Sequence, residues 1–206
     1  MVSNIEEICN TYKVLEACFD AGTIYANGIK VKQNNFKALY YYEKACDLGS
    51  DLACYNLGVI YQKGKGIKTD YKKSKLFYTK ACDKNVSQAC NNLGFFYKKG
   101  YGVKQNYTKA YLFYKKACDN NLMVGCYNLG VLYNNGQGVI KDYLKALKIY
   151  KKTCKYNIAK GCYNAASIYD DNTSIVYDKN KSKLFYQKAF DLGFSKNIHD
   201  SKVKGG

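Results

Sequence analysis

The sequence predicts an all-α chain folded as an α/α solenoid, a right-handed superhelix of antiparallel helix pairs, stapled by disulfides. Three observations carry this expectation. Nine of the ten cysteines lie in two series with a constant step of 36 residues: Cys46, Cys82, Cys118 and Cys154, and Cys18, Cys54, Cys90, Cys126 and Cys162. A repeat of about 20 to 50 residues is the signature of a solenoid or array. Apolar and small residues recur at fixed phases of that lattice with helical spacing. The 206 residues contain no proline, which suits helix throughout.

The first element of each repeat, helix A, starts at the second cysteine series. Ala53-Cys54-Tyr55-Asn56-Leu57-Gly58 aligns with Ala89-Cys90-Asn91-Asn92-Leu93-Gly94, Gly125-Cys126-Tyr127-Asn128-Leu129-Gly130 and Gly161-Cys162-Tyr163-Asn164-Ala165-Ala166. A tyrosine follows at Tyr61, Tyr97, Tyr133 and Tyr169. Positions 53, 57, 60 and 61 share one helical face, the expected core stripe. A Gly-rich break comes next, at Gly64-Lys65-Gly66, Gly100-Tyr101-Gly102 and Gly136-Gln137-Gly138. The leading glycine is expected as a left-handed helix cap. Ile67, Val103 and Val139 are expected to pin the loop to the core. The fifth repeat carries Asn172 and Ser174 there, and the asparagine is expected to take over the left-handed turn.

Helix B follows, as in Tyr71–Asp83, with a small phase (Ala38, Ser74, Ala110, Ala146, Ser182) and a tyrosine phase (Tyr42, Tyr78, Tyr114, Tyr150, Tyr186). Gly58, Gly94 and Gly130 sit inside helix A, where glycine costs about 1 kcal/mol against alanine. Close approach of helix B through its small phase is the expected reason. The organisation is then a capping helix at 1–15, repeats at 16–51, 52–87, 88–123, 124–159 and 160–190, and a partial repeat with a polar tail at 191–206.

Net charge is +17, carried by lysine alone. Arginine, the usual residue for bidentate reading of bases and phosphates, is absent, so specific nucleic-acid recognition is not expected. A solvated basic surface that also attracts acidic polymers or anionic surfaces is. Lysines interrupt every apolar segment, so no membrane span is expected. Met1-Val2-Ser3-Asn4 does not open a secretory leader.

Residues 16–190 resemble the Sel1-like repeat family, relatives of the tetratricopeptide repeat. The Leu57-Gly58-x-x-Tyr61 motif, the Gly-x-Gly loop and the Lys-Ala-Cys-Asp ending of helix B carry the resemblance. The paired cysteines make the chain most similar to the Helicobacter cysteine-rich branch. The resemblance implies a tetratricopeptide-like fold with helix A lining a concave groove, and a secreted or periplasmic bacterial protein. It also implies, as an alternative function, weak penicillin-binding β-lactamase activity, for which no catalytic residue is carried over.

Two cysteine pairings are open. Pairing within one A–B unit joins Cys18 to Cys46 and its equivalents but strands Cys9 and Cys162. Pairing across the short B-to-A turn gives Cys9–Cys18, Cys46–Cys54, Cys82–Cys90, Cys118–Cys126 and Cys154–Cys162, and uses all ten. The next lattice points, Phe190 and Ile198, lack cysteine together. Both points favour the turn-spanning set. A zinc site is disfavoured because the chain has no Cys-x-x-Cys pair and one histidine. Neither a metal nor a cofactor is expected. Disulfides place the chain outside a reducing cytosol.

Catalytic candidates are sparse. His199 stands alone in the tail, Asp170 and Asp171 point about 100° apart on a helix, and Ser201-Lys202-Val203-Lys204 matches Ser-x-x-Lys without a Lys-Thr-Gly elsewhere. Binding is better supported. The second face of helix A, through positions 52, 56, 59 and 63 and their equivalents, carries an asparagine ladder: Asn56, Asn92, Asn128 and Asn164. Asparagine is a mediocre helix former, so its recurrence needs a reason. An amide both donates to and accepts from a peptide backbone. Gln88, Lys63, Lys99 and Lys160 extend this lining, and lysine suits a terminal carboxylate. The expected partner is a peptide, a protein or a cell-wall-derived ligand. The competing role for the asparagines is to tie each repeat to its neighbour.

Overall fold

The computed structural model describes residues 2–64 and 66–195. Lys65, His199 and the Ser201–Lys204 segment lie outside the described residues. A lone first helix, α1 (Val2–Tyr12), precedes five helix pairs. The A helices are α2 (Leu15–Asn27), α4 (Asp51–Lys63), α6 (Ser87–Lys99), α8 (Met123–Asn135) and α10 (Ala159–Asp170). The B helices are α3 (Asn35–Asp47), α5 (Tyr71–Asp83), α7 (Tyr107–Asp119), α9 (Tyr143–Lys155) and α11 (Lys179–Asp191). The fold class is the α/α solenoid. Two compact units divide the chain, the first ending at Leu122 and the second starting at Met123. In unit 1 each helix of α1–α7 packs on the next, and α4 also touches α6. In unit 2 the helices α8–α11 pack in the same chain order.

The A-to-B loops close as the glycines require. Gly28, Gly64 and Gly100 cap α2, α4 and α6 in the left-handed region, each N–H reaching the carbonyl four residues back. Asn34, Asp70, Asn106, Asp142 and Asp178 then cap the B helices, their side chains accepting from the backbone N–H of Lys37, Lys73, Lys109, Lys145 and Lys181. The capping residue's own N–H returns to the carbonyl of Tyr25, Tyr61, Tyr97, Tyr133 or Tyr169 at 2.8–3.0 Å. The fifth loop departs from the expectation. Asn172 is not left-handed. Helix α10 ends instead at an extended Asp171, whose carboxylate accepts from the Thr173 N–H at 2.9 Å and its hydroxyl at 2.6 Å.

The left-handed asparagines sit in the other turn. Gly49, Asn85, Asn121, Asn157 and Gly193 all have positive φ, one per repeat. In each, that residue's N–H bonds three residues back, and the next N–H bonds five residues back, as in Asn85 to Cys82 (2.9 Å) and Val86 to Ala81 (3.0 Å). This is a Schellman closure. It turns the chain sharply enough to set the last cysteine of helix B beside the first of the next helix A. The observed bonds are Cys9–Cys18, Cys46–Cys54, Cys82–Cys90 and Cys154–Cys162, with Cα–Cα distances of 4.6–4.9 Å. Cys118 and Cys126 are disulfide-bonded as well. Each short loop closure stabilises by about 2–3 kcal/mol through the unfolded state. Such bonds persist in an oxidising, extracytoplasmic environment. No described helix is long and apolar enough to cross a membrane.

The helix-interior glycines seat the tyrosine phase of helix B, and the small phase approaches closely at Gly58 as well. A Cβ at Gly58 would stand 2.5 Å from the Tyr78 ring, and one at Gly94 2.6 Å from Tyr114. Gly130 receives Tyr150 in the same way. Tyr78, Tyr114 and Tyr150 are almost wholly buried. The small phase has a separate task at Ser74, whose hydroxyl donates to the Gly58 carbonyl at 2.7 Å. The core of unit 1 runs through Leu57, Tyr78, Leu93 and Phe96; that of unit 2 through Leu147, Tyr150, Ala165 and Ile168.

Candidate functional site

The asparagine ladder occupies one turn of four A helices, α4, α6, α8 and α10; α2 carries Asp20 at that phase. Asn56 and Asn92 in unit 1, and Asn128 and Asn164 in unit 2, are all half-buried at the same phase. Their amides meet the tyrosines of helix B. Asn56 bonds toward Tyr42, Asn92 toward Tyr78 and Asn164 toward Tyr150. Burial pushes all three phenols up, and the amide bonds pull in the opposite direction. Asn164 also donates to the Tyr127 hydroxyl of the neighbouring A helix at 3.4 Å. The ladder therefore does tie adjacent helices. A side-chain amide has more hydrogen-bonding capacity than one hydroxyl uses.

A hollow of about 340 Å³ opens between α2 and α4. Its polar lining is Thr23, Asn27, Asn35, Asn56 and Lys63, over a floor of Phe19, Val59, Ile60 and Tyr42. Two of the expected residues, Asn56 and Lys63, meet there. Gln88, Asn92 and Lys99 continue the same face on α6, with Gln88 and Lys99 exposed. Lys160 is exposed at the start of α10 in unit 2. The expectation missed Thr23, Asn27 and Asn35. Thr23 and Asn27 hold the phases of Val59 and Lys63 on α2, a signal that was present in the lattice. Asn35 comes from the first turn of α3 and reaches the next loop, close to Gly66; no periodicity announces that contact.

Unit 2 holds an equivalent hollow of about 510 Å³, lined by Asn134, Tyr143, Ser167, Ile168 and Asp171. These residues stand three repeats from Ala26, Asn35, Val59, Ile60 and Lys63 of the first hollow. The two overlap in lattice position and differ in charge: Asp171 replaces Lys63, and both Asp142 and Lys141 join the rim.

A second recurring arrangement borders the loops. The helix A tyrosines stack on helix B aromatics, Tyr25 on Tyr41, Tyr61 on Phe77, Tyr97 on Phe113 and Tyr169 on Phe185, with centroids 5.5–5.9 Å apart. Lys37, Lys73, Lys109, Lys145 and Lys181 lie over the tyrosine rings at 4.5–5.7 Å. Tyr61 donates to Glu43 at 3.2 Å, and burial with that carboxylate pushes its phenol up to about 12. Such phenols stay protonated near neutrality and supply no base. Asp170 is held low by Lys179 at 2.8 Å and Asp171 by Thr173, so the two carboxylates face different partners. No group of three or more His, Cys, Asp or Glu side chains converges as a metal site among the described residues.

Five stretches, residues 15–50, 51–86, 87–122, 124–155 and 159–194, match the Sel1 repeat. A Sel1 repeat protein from Oxalobacter formigenes superposes with a TM-score of 0.83 at 26% identity, covering 94% of this chain and 86% of that one. Cysteine-rich protein B of Helicobacter pylori is 34% identical over 66% of this chain and 98% of its own, with a TM-score of 0.51. A protective antigen of uropathogenic Escherichia coli with the same repeat fold reaches a TM-score of 0.69 at 23% identity, covering 94% of this chain and 49% of that one. No curated protein gives a significant match. Five matched repeats over most of the length place this chain in the Sel1 repeat family.

Proposed function

We propose that this chain is a secreted or periplasmic scaffold that holds an extended peptide, from a protein or a cell-wall component, along the A-helix face. Sel1-repeat proteins are in general protein-interaction scaffolds. The observation that carries the finer reading is the hollow between α2 and α4, where Asn27, Asn35 and Asn56 surround an apolar floor beside Lys63. Amides there can bond a peptide backbone in either sense, and Lys63 can meet a terminal carboxylate. Asn92, Gln88 and Lys99 extend the track within unit 1; Asn128, Asn164 and Lys160 offer a shorter one within unit 2.

Titration calorimetry with short extended peptides and with muropeptides tests this. Each lost hydrogen bond costs on the order of 1 kcal/mol. Asn56→Ala with Asn92→Ala should then weaken binding about tenfold or more and leave the melting temperature within a few degrees. Unchanged affinity with a stability loss of several kcal/mol would assign the ladder wholly to the stack. Saturable nitrocefin turnover would instead favour the penicillin-type hydrolase carried by the family resemblance.

A further inference from the structure

The outer face of the B helices in unit 1 carries a half-exposed row of two leucines and a tyrosine, the tyrosine's hydroxyl donating to Asn10 at 3.3 Å and its ring lying under the Lys44 ammonium. Tyr40, Leu76 and Leu112 occupy one phase of α3, α5 and α7, and they are 48%, 52% and 56% exposed. Each has a lysine three residues before it and another four residues after it: Lys37 and Lys44, Lys73 and Lys80, Lys109 and Lys116. Residues at these spacings are neighbours on one helical face. The first lysine of each set is splayed over a tyrosine ring, at 4.5 Å for Lys37, 5.1 Å for Lys73 and 5.4 Å for Lys109, and the Lys37 ammonium also bonds the Tyr25 hydroxyl at 2.9 Å and Glu6 at 3.5 Å. The second lies along the row joining successive helices: Lys44 donates to Asn10 of α1 at 2.7 Å, and Lys80 pairs with Asp47 of α3 at 3.7 Å. These contacts align α3 with α1 and α5 with α3, and α7 repeats the same pattern of an apolar middle with lysines along both margins.

We propose that this face docks on an anionic lipid surface. Lysine ammonium groups would meet the headgroups while their stems and the Tyr40–Leu76–Leu112 row reach the acyl boundary. A soluble acidic polymer would use the lysines and leave the apolar row without a role, so the row favours lipid. Unit 2 has Lys148 at the equivalent position of α9, and only Leu184 on α11 keeps the apolar phase. The surface is distinct from the A-helix hollow and does not depend on the peptide reading.

The experiment is co-sedimentation of the full chain with phosphatidylglycerol–phosphatidylcholine vesicles, against pure phosphatidylcholine. Binding to the anionic vesicles should exceed binding to neutral ones by about tenfold or more and fall with added salt. Leu76→Ser with Leu112→Ser should lower it about tenfold, and Leu184→Ser should leave it unchanged. Both leucines are half-exposed, and equal melting temperatures verify that the variants fold. Failure of the native chain to bind anionic vesicles overturns the proposal. So does full binding by the double serine variant, with soluble polyglutamate displacing the protein, which assigns the face to acidic polymers. An equal loss on Leu184→Ser overturns the placement on α3, α5 and α7.

Discussion

The two A-helix hollows occupy overlapping lattice positions three repeats apart and present different chemistry. In unit 1 Lys63 lines the hollow, and the left-handed Gly64, with φ of +63°, ends the helix just after it. In unit 2 the corresponding helix is one residue shorter and stops at Asp171, whose carboxylate folds the Thr173-Ser174 segment onto itself. Val59 becomes Ser167 and Asn35 becomes Tyr143. The backbone lattice brings the same positions to both hollows, those of Ala26, Asn35, Val59, Ile60 and Lys63. A handful of lining side chains, and one turn, decide what it attracts.

The largest expected effect concerns what the two units share. Cys82→Ala with Cys90→Ala should cost unit 1 about 2–3 kcal/mol, and Cys154→Ala with Cys162→Ala should cost unit 2 the same, because the closed loops are equally long. Denaturant unfolding measures both. Markedly unequal losses would show that the staples are not equivalent. Non-reducing peptide mapping must also recover Cys82 linked to Cys90.

The loops should respond differently. Gly100→Val forces a β-branched residue to φ near +77°, which should destabilise by about 1–2 kcal/mol. Asn172→Val, in the loop that lacks a left-handed residue at that place, should stay within about 0.5 kcal/mol. Equal melting temperatures for both variants would erase the distinction between the two loop types.

Acid should loosen the unit 2 loop selectively. Hydrogen bonds from Lys179 hold the Asp170 carboxyl below its usual range, and those from Thr173 do the same for Asp171. A depressed folded value means the native loop favours the anions. The contribution is complete above the unfolded value of about 3.9 and disappears as pH falls through the lower folded value. Relative to its intrinsic rate at each pH, amide exchange at Thr173 should therefore quicken below about pH 4, while the glycine-capped Gly100 amide keeps its protection. Parallel acceleration at both sites would contradict this account.

The smallest effect on stability is the most direct test of the comparison. Lys63→Asp imitates unit 2 at an exposed position and should shift stability by no more than about 0.5 kcal/mol. It should nonetheless weaken binding of peptides with a terminal carboxylate about tenfold, the size of one charge-assisted contact. Unchanged affinity would remove Lys63 from the site.

Much of this molecule follows from its repeat. The step of 36, the helix boundaries near each cysteine, the glycine caps at Gly64 and Gly100 and the cysteine partners are all local or periodic, so the sequence alone determined them. Helix periodicity likewise put Asn56, Asn92, Asn128 and Asn164 on one face. Tertiary structure decided which atoms meet across helices. Gly58 turned out to seat the Tyr78 ring as well as to meet Ser74, because the tyrosine ring fills a gap whose depth depends on the interhelical distance. The left-handed turn of the fifth loop was not inherited by Asn172, since Asp171 could satisfy Thr173 from an extended backbone. The hollow needed Asn35 and Thr23 from elements separated in the chain. Periodicity specifies where a side chain points around its own helix; only packing sets the distance to what it faces, and recognition depends on that distance.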